Sequence, residues 1–211
     1  MGQTPAIAKS ITTLADVEDR FSLTPTDNQQ FFTEWHQDLP EITDQEKITL
    51  DKLKQRFSRH RNHGKLAEGT VNLLLVSPLL ELAGFYDEPF FITTEASVEI
   101  SLENRDEILR GRIDTLVIQE QFWVLVVEPK SSISFEAAIP QALTYMMSNP
   151  NAEKPVYSMV TDGSLFMFIK IMKQEQLQYD FSDTFSLLLI HQNKLYDVLR
   201  VLKRISKVIA I

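Results

Sequence analysis

The sequence predicts an α/β domain, a mixed sheet flanked by helices, preceded by a small helical appendage. Two amphipathic or apolar helical periodicities come before a run of strand-like segments. One of those segments, 122–130, opens with the unbroken apolar run Phe-Trp-Val-Leu-Val-Val, the pattern of a strand covered on both faces. Further strand signals and a closing amphipathic helix follow it.

The elements are justified in chain order. Residues 1–46 hold nine acidic and two basic side chains and are punctuated by Pro25, Asp27, Pro40, Thr43 and Asp44, so they read as a separate acidic appendage. Thr43 to Glu46 is a capping box, T-x-x-E, opening a helix that runs to about Arg61 with Leu50, Leu53 and Phe57 on one face. His63-Gly64 breaks it. A second helix, 66–82, is apolar over most of its surface and is expected to be buried; Ala83-Gly84 ends it. Strands are predicted at 95–102, 110–118 and 122–130, with a short turn at 119–121. A helix at 135–147 contains Pro140. A hairpin at 156–160 and 165–171 turns through Thr161-Asp162-Gly163. A strand at 185–190 and a helix at 194–208 complete the chain.

Composition narrows the function. The 211 residues, 44% hydrophobic and 24% charged, are an ordinary globular balance. With no cysteine, disulfides and thiolate metal sites are excluded, and a reducing cytoplasm is the expected home. No apolar run approaches the ~20 residues of a membrane span, so no membrane is expected. The net charge is −8, but residues 47–211 hold 19 basic and 20 acidic side chains. A near-neutral body of this kind can still present a basic face to nucleic acid.

The chemistry concentrates in Gly111-Arg-Ile-Asp114 and Glu128-Pro-Lys130. Adjacent antiparallel strands joined by a tight turn bring Asp114 and Glu128 side by side, and Lys130 shares the face of Glu128 at i, i+2. Two carboxylates and an ammonium suit Mg²⁺, which takes oxygen ligands, keeps several waters and binds substrate phosphate. The Pro129 carbonyl is a further candidate ligand. Lys130 is placed to orient an attacking water or to stabilise developing charge. A lone Glu-x-Lys is ordinarily a surface ion pair. Here it emerges from a buried strand, where polar groups are costly unless paired or functional.

These features together resemble the PD-(D/E)XK nucleases, most closely the N-terminal nuclease domain of the type I restriction enzyme motor subunit and its short stand-alone relatives. The resemblance covers about residues 64–172. It is carried by Glu68 with the helix through Leu79-Leu-Glu-Leu-Ala-Gly-Phe85, Gly111-Arg-Ile-Asp114, Val126-Val-Glu-Pro-Lys130, Gln141-Ala-Leu-Thr-Tyr145 and Val160-Thr-Asp-Gly163. It implies a restriction-endonuclease-like core over 47–211. It also implies an Mg²⁺-dependent endodeoxyribonuclease, with Mn²⁺ as a substitute metal. Asp114 and Glu128 would be metal ligands, Lys130 the catalytic lysine and Glu68 an auxiliary ligand. Gln141 would contact the active site, and Tyr145, one turn further on, the DNA. Ile113 stands where the family often has proline, and Pro129 where it has a small or apolar residue.

Two basic stripes are candidates for the phosphate backbone: Lys52, Arg56, Arg59 and His63 on one helix, and Arg200, Lys203, Arg204 and Lys207 on the last. Arg110 and Arg112 share a strand parity with Asp114. His36, His60, His63 and His191 form no metal spacing. Gly64-Lys65 lacks the frame of a P-loop, so no nucleotide cofactor and no motor are expected. DNA is the expected partner, with a homodimer as a further expectation. The rivals are a DNA-binding or assembly protein without catalysis on the same fold, and a nuclease acting on RNA.

Overall fold

A computed structural model describes residues 11–93, 96–102, 107–113, 116–118, 122–126, 135–148 and 154–210. Among the described residues the elements, in chain order, are α1 (Leu14–Phe21), β1 (Leu23–Pro25), α2 (Asp44–Arg61), α3 (Glu68–Val71), α4 (Ser77–Leu82), β2 (Ile92–Thr93), β3 (Ala96–Leu102), β4 (Glu107–Ile113), β5 (Leu116–Ile118), β6 (Phe122–Val126), α5 (Phe135–Met146), β7 (Val156–Thr161), β8 (Leu165–Lys173), β9 (Leu177–Phe181), β10 (Phe185–Ser186) and α6 (Leu195–Ile209).

The local signals act as read. Thr43 and Glu46 close both bonds of the capping box: the Thr43 hydroxyl accepts from Glu46 N–H, and the Glu46 carboxylate accepts from Thr43 N–H. The expected helix over 66–82 begins at Glu68 and carries a π-helical segment, Asn72–Val76, between α3 and α4. Pro78 supplies a physical reason. It has no N–H to give and its ring crowds the carbonyl four residues back, a conflict that a widened turn relieves. Pro140 lies inside α5, and the Thr144 hydroxyl donates to the Pro140 carbonyl at 2.7 Å.

The main sheet has the order β1-β9-β8-β7-β6-β5-β2, with β10 paired to β8; β3 and β4 form a separate ribbon. It is mixed. β6 and β7 are parallel, as are β1 and β9, and the other neighbours are antiparallel. The parallel step from β6 to β7 requires a crossover, which α5 provides. Alternation along the strands divides the core. Phe122, Val124, Tyr157, Met159, Phe166 and Phe168 meet α2, the α3–α4 rod and α6. Trp123, Val160, Ile169 and Ile171 meet α1 and α5. The chain is thus α/β, a mixed sheet with helices on both faces, and no helix among the described residues is long and apolar enough to cross a membrane.

Three details differ from the sequence reading. The strand expected over 110–118 is divided: β4 pairs with β3, while β5 pairs with β6 and β2. The strand expected over 185–190 stops at Ser186, and Leu188, Leu189 and Ile190 are exposed. In the segment 1–46, read as a helical appendage, the described residues 11–46 add β1 to the sheet edge and Phe31, Phe32 and Ile42 to the core.

Gly163 shows how tightly the β7–β8 turn is seated. Its φ is +84°, and a Cβ there would stand 2.9 Å from Phe57 Cε2 and 3.1 Å from both Val71 methyls. Gly163→Ala is expected to cost about 2–4 kcal/mol, from left-handed backbone strain together with overpacking. Gly84, also at positive φ but with open space for a Cβ, is expected to cost about 1–2 kcal/mol. Denaturant midpoints of the two variants check the difference.

Candidate nuclease site

The end of the sheet where β6 terminates is fixed by two registers. In the β5–β6 pair Leu116 stands opposite Val124, and in the β6–β7 pair Val126 stands beside Thr161. The entry to β5, the exit from β6 and the β7–β8 turn therefore lie at one end of the sheet. Gly163 in that turn packs toward Phe57 and Val71, which brings the last turns of α2 and the end of the short α3 to the same end. Glu68, the first residue of α3, is half-buried there.

Asp114, Glu128, Pro129 and Lys130 lie outside the described residues. Their neighbours in sequence are described: Asp114 is two positions before Leu116, and Glu128 two after Val126.

The remaining candidates are distributed as follows. Arg110 and Arg112 are in β4, opposite Glu99 and Ser97 in the register of the ribbon. Gln141 is half-buried on α5 and Tyr145 is buried in the layer shared with α1. Arg56 and Arg59 are exposed on α2. Among the described residues no cluster of three or more His, Asp or Glu side chains converges as a metal site.

The two basic stripes have different fates. On α6, Lys203 is bound to Glu46, Arg200 lies 3.5 Å from Glu41, and Arg204 lies 4.0 Å from Asp38. Burial raises the Glu46 carboxyl, but hydrogen bonds from Lys203 and from Thr43 outweigh it and hold the group below its ordinary value. Three acidic residues of the N-terminal segment, Asp38, Glu41 and Glu46, thus pair with three of the four cations of this stripe, and Lys207 is exposed. On α2, no ion pair engages Lys52, Arg56, Arg59 or Arg61 among the described residues.

The site also contains residues that sequence reading passed over. An open cavity of about 560 Å³ is lined by Phe57, Arg61, Asn62, Lys65, Asp162 and Ser164, among others. Arg61 falls off the helical stripe through Arg56 and Arg59, and Lys65 draws notice in sequence only as a failed P-loop. The signal that would have found them is the charge run: residues 52–67 contain six Lys or Arg, two His and no acidic side chain.

Compared with protein-family models, the chain matches none, and no curated protein matches it.

Proposed function

We propose that the chain is an Mg²⁺-dependent endodeoxyribonuclease with a restriction-endonuclease-like core. The observation that carries this reading is the β5–β6 pairing. It puts Leu116 and Val126 toward one end of two antiparallel neighbours, and Asp114 and Glu128 are each two residues along the sequence from one of them. The order of helix, antiparallel strands β2, β5 and β6, crossover helix and parallel strand β7 is compatible with such a core. Phe122, Val124 and Val126 lie on the face of the sheet that α3 covers through Val71, and Glu128 and Lys130 follow Val126 by two and four residues in the sequence.

In this reading Asp114, Glu128 and the Pro129 carbonyl hold the metal, with Glu68 as auxiliary. The donor set is all oxygen, as Mg²⁺ or Mn²⁺ requires. The bound metal supplies Lewis acidity toward the scissile phosphate and a lowered pKa for water. Lys130 offsets charge developing on the phosphate oxygens and orients the attacking water. Gln141 supports the site from α5, and Arg56 and Arg59 attract the phosphate backbone.

Supercoiled plasmid incubated with Mg²⁺, Mn²⁺ or chelator tests the reading. Metal-dependent nicking is expected, competed by excess DNA more effectively than by RNA. DNA binding without any nicking would replace the enzyme by a DNA-binding protein on this fold, and preferential competition by RNA would change the substrate.

A further inference from the structure

We infer that a buried water molecule bridges Trp123 on β6 and Ser158 on β7, accepting a hydrogen bond from the indole N–H and pairing with the serine hydroxyl. Neither residue belongs to the proposed nuclease centre.

The first support is the state of the two polar groups. Trp123 is 5% exposed and Ser158 0%. Trp123 Nε1 and Ser158 Oγ are both buried, and neither has a hydrogen-bond partner among the described residues. They are therefore not bonded to each other. An indole N–H can only donate, whereas a serine hydroxyl donates and accepts, so one water oxygen can serve both. Two such groups left without partners cost more than the entropy of ordering a single water between them.

The second support is place. Trp123 and Ser158 are direct partners in the parallel β6–β7 register. Ser158 shares the strand parity of Val156 and Val160, and these valines lie with Trp123 in the layer that meets α1 and α5. The two polar groups thus stand side by side on one face of adjacent strands. Neighbouring strands run about 4.8 Å apart, a gap that two hydrogen bonds of about 2.8 Å meeting at one oxygen can span.

The third support is the surroundings. α5 packs on both β6 and β7. Ala138 and Ala142, one helical turn apart on it, are the smallest buried side chains of the layer, so the helix takes up least volume there. Leu143, Val160 and Ile169 of the same layer offer no acceptor. The Tyr179 hydroxyl is turned to Glu18, at 2.7 Å. A gap lined by polar groups takes up water, and only apolar ones stay dry.

A high-resolution crystal structure of the full chain tests this directly. An ordered water is expected within about 2.7–3.2 Å of both Trp123 Nε1 and Ser158 Oγ. A direct bond between indole and hydroxyl, or no water at the two atoms, would overturn the inference. Thermal melts test it in solution by the sign of the change. Deleting a hydroxyl that has no partner removes a desolvated group and leaves stability unchanged or raised. Deleting one that holds a water removes a hydrogen bond, so Ser158→Ala is expected to melt about 2–4 °C below the parent. The same change made in Trp123→Phe should lower the melt by less, because the water has already lost its other partner. Ser158→Ala melting with or above the parent would overturn the inference, as would an equal drop in the Trp123→Phe background.

Discussion

Lys170→Met is expected to destabilise the protein by about 3–5 kcal/mol, the usual consequence of removing one partner of a buried ion pair. Lys170 is buried on β8, where its ammonium donates to Glu34 Oε1 at 2.7 Å and to the Phe31 carbonyl at 2.6 Å. Tyr157, opposite Lys170 in the β7–β8 register, donates its hydroxyl to the same Glu34 oxygen at 2.6 Å. Burial and the neighbouring carboxylate push the Tyr157 phenol well up, so it remains a donor. Glu34 Oε2 is buried and has no hydrogen-bond partner among the described residues. Without Lys170 the carboxylate would keep only the phenol, in surroundings that cannot solvate it. In a chain of this size the loss corresponds to a melting temperature lower by about 10–15 °C. Adding Glu34→Leu should recover most of it, because replacing both members of a buried pair by apolar residues of similar volume is often neutral or better. A Lys170→Met protein that melts with the parent would mean that the buried pair adds nothing to what β1, Phe31, Phe32 and Ile42 already supply in holding the N-terminal segment.

That network was not legible in the sequence. Glu34 and Lys170 are 136 positions apart, and each is an ordinary charged residue until the fold brings them together. The capping box at Thr43, the buried α3–α4 rod and the 156–171 hairpin were legible because each is specified by local spacing. Strand β9, with sequence Leu-Gln-Tyr-Asp-Phe, was passed over although it alternates apolar and polar residues, because five residues after the polar Gln-Glu-Gln are a short signal. The division of 110–118 between ribbon and main sheet was hidden for a different reason: alternation reports extended backbone and is silent about which strand is the partner. At the site, the carboxylates are proposed from their spacing and the α2 stripe from its helical period, and Asp114 and Glu128 lie outside the described residues. Arg61 and Lys65 escaped because their grouping depends on a turn contributed by β7 and β8.

Ala at Asp114, Glu128 or Lys130 is expected to lower plasmid cleavage by at least ~10²-fold, the scale of losing a metal ligand or a charge-stabilising donor. The losses should not add in the double variants, since groups that act as one unit fail together. DNA affinity in chelator should persist in Lys130→Ala, because the cationic surface of α2 is untouched. That separates a catalytic lysine from a general binding one. A folded Glu128→Ala protein that cuts as fast as the parent would remove the proposed centre.

The existence of the metal site itself is tested most directly by thermal melts of the parent and Asp114→Asn, each with Mg²⁺ and with chelator. Two converging carboxylates repel one another, and bound metal relieves the repulsion. With free Mg²⁺ ~10-fold above its dissociation constant the parent gains about 1.4 kcal/mol, a rise of roughly 3–5 °C. Asp114→Asn removes one ligand and one repelling charge, so it should melt above the parent in chelator and gain little from Mg²⁺. An Asp114→Asn protein that is less stable in chelator and responds to Mg²⁺ as the parent does would make Asp114 a structural residue and contradict the proposed metal centre.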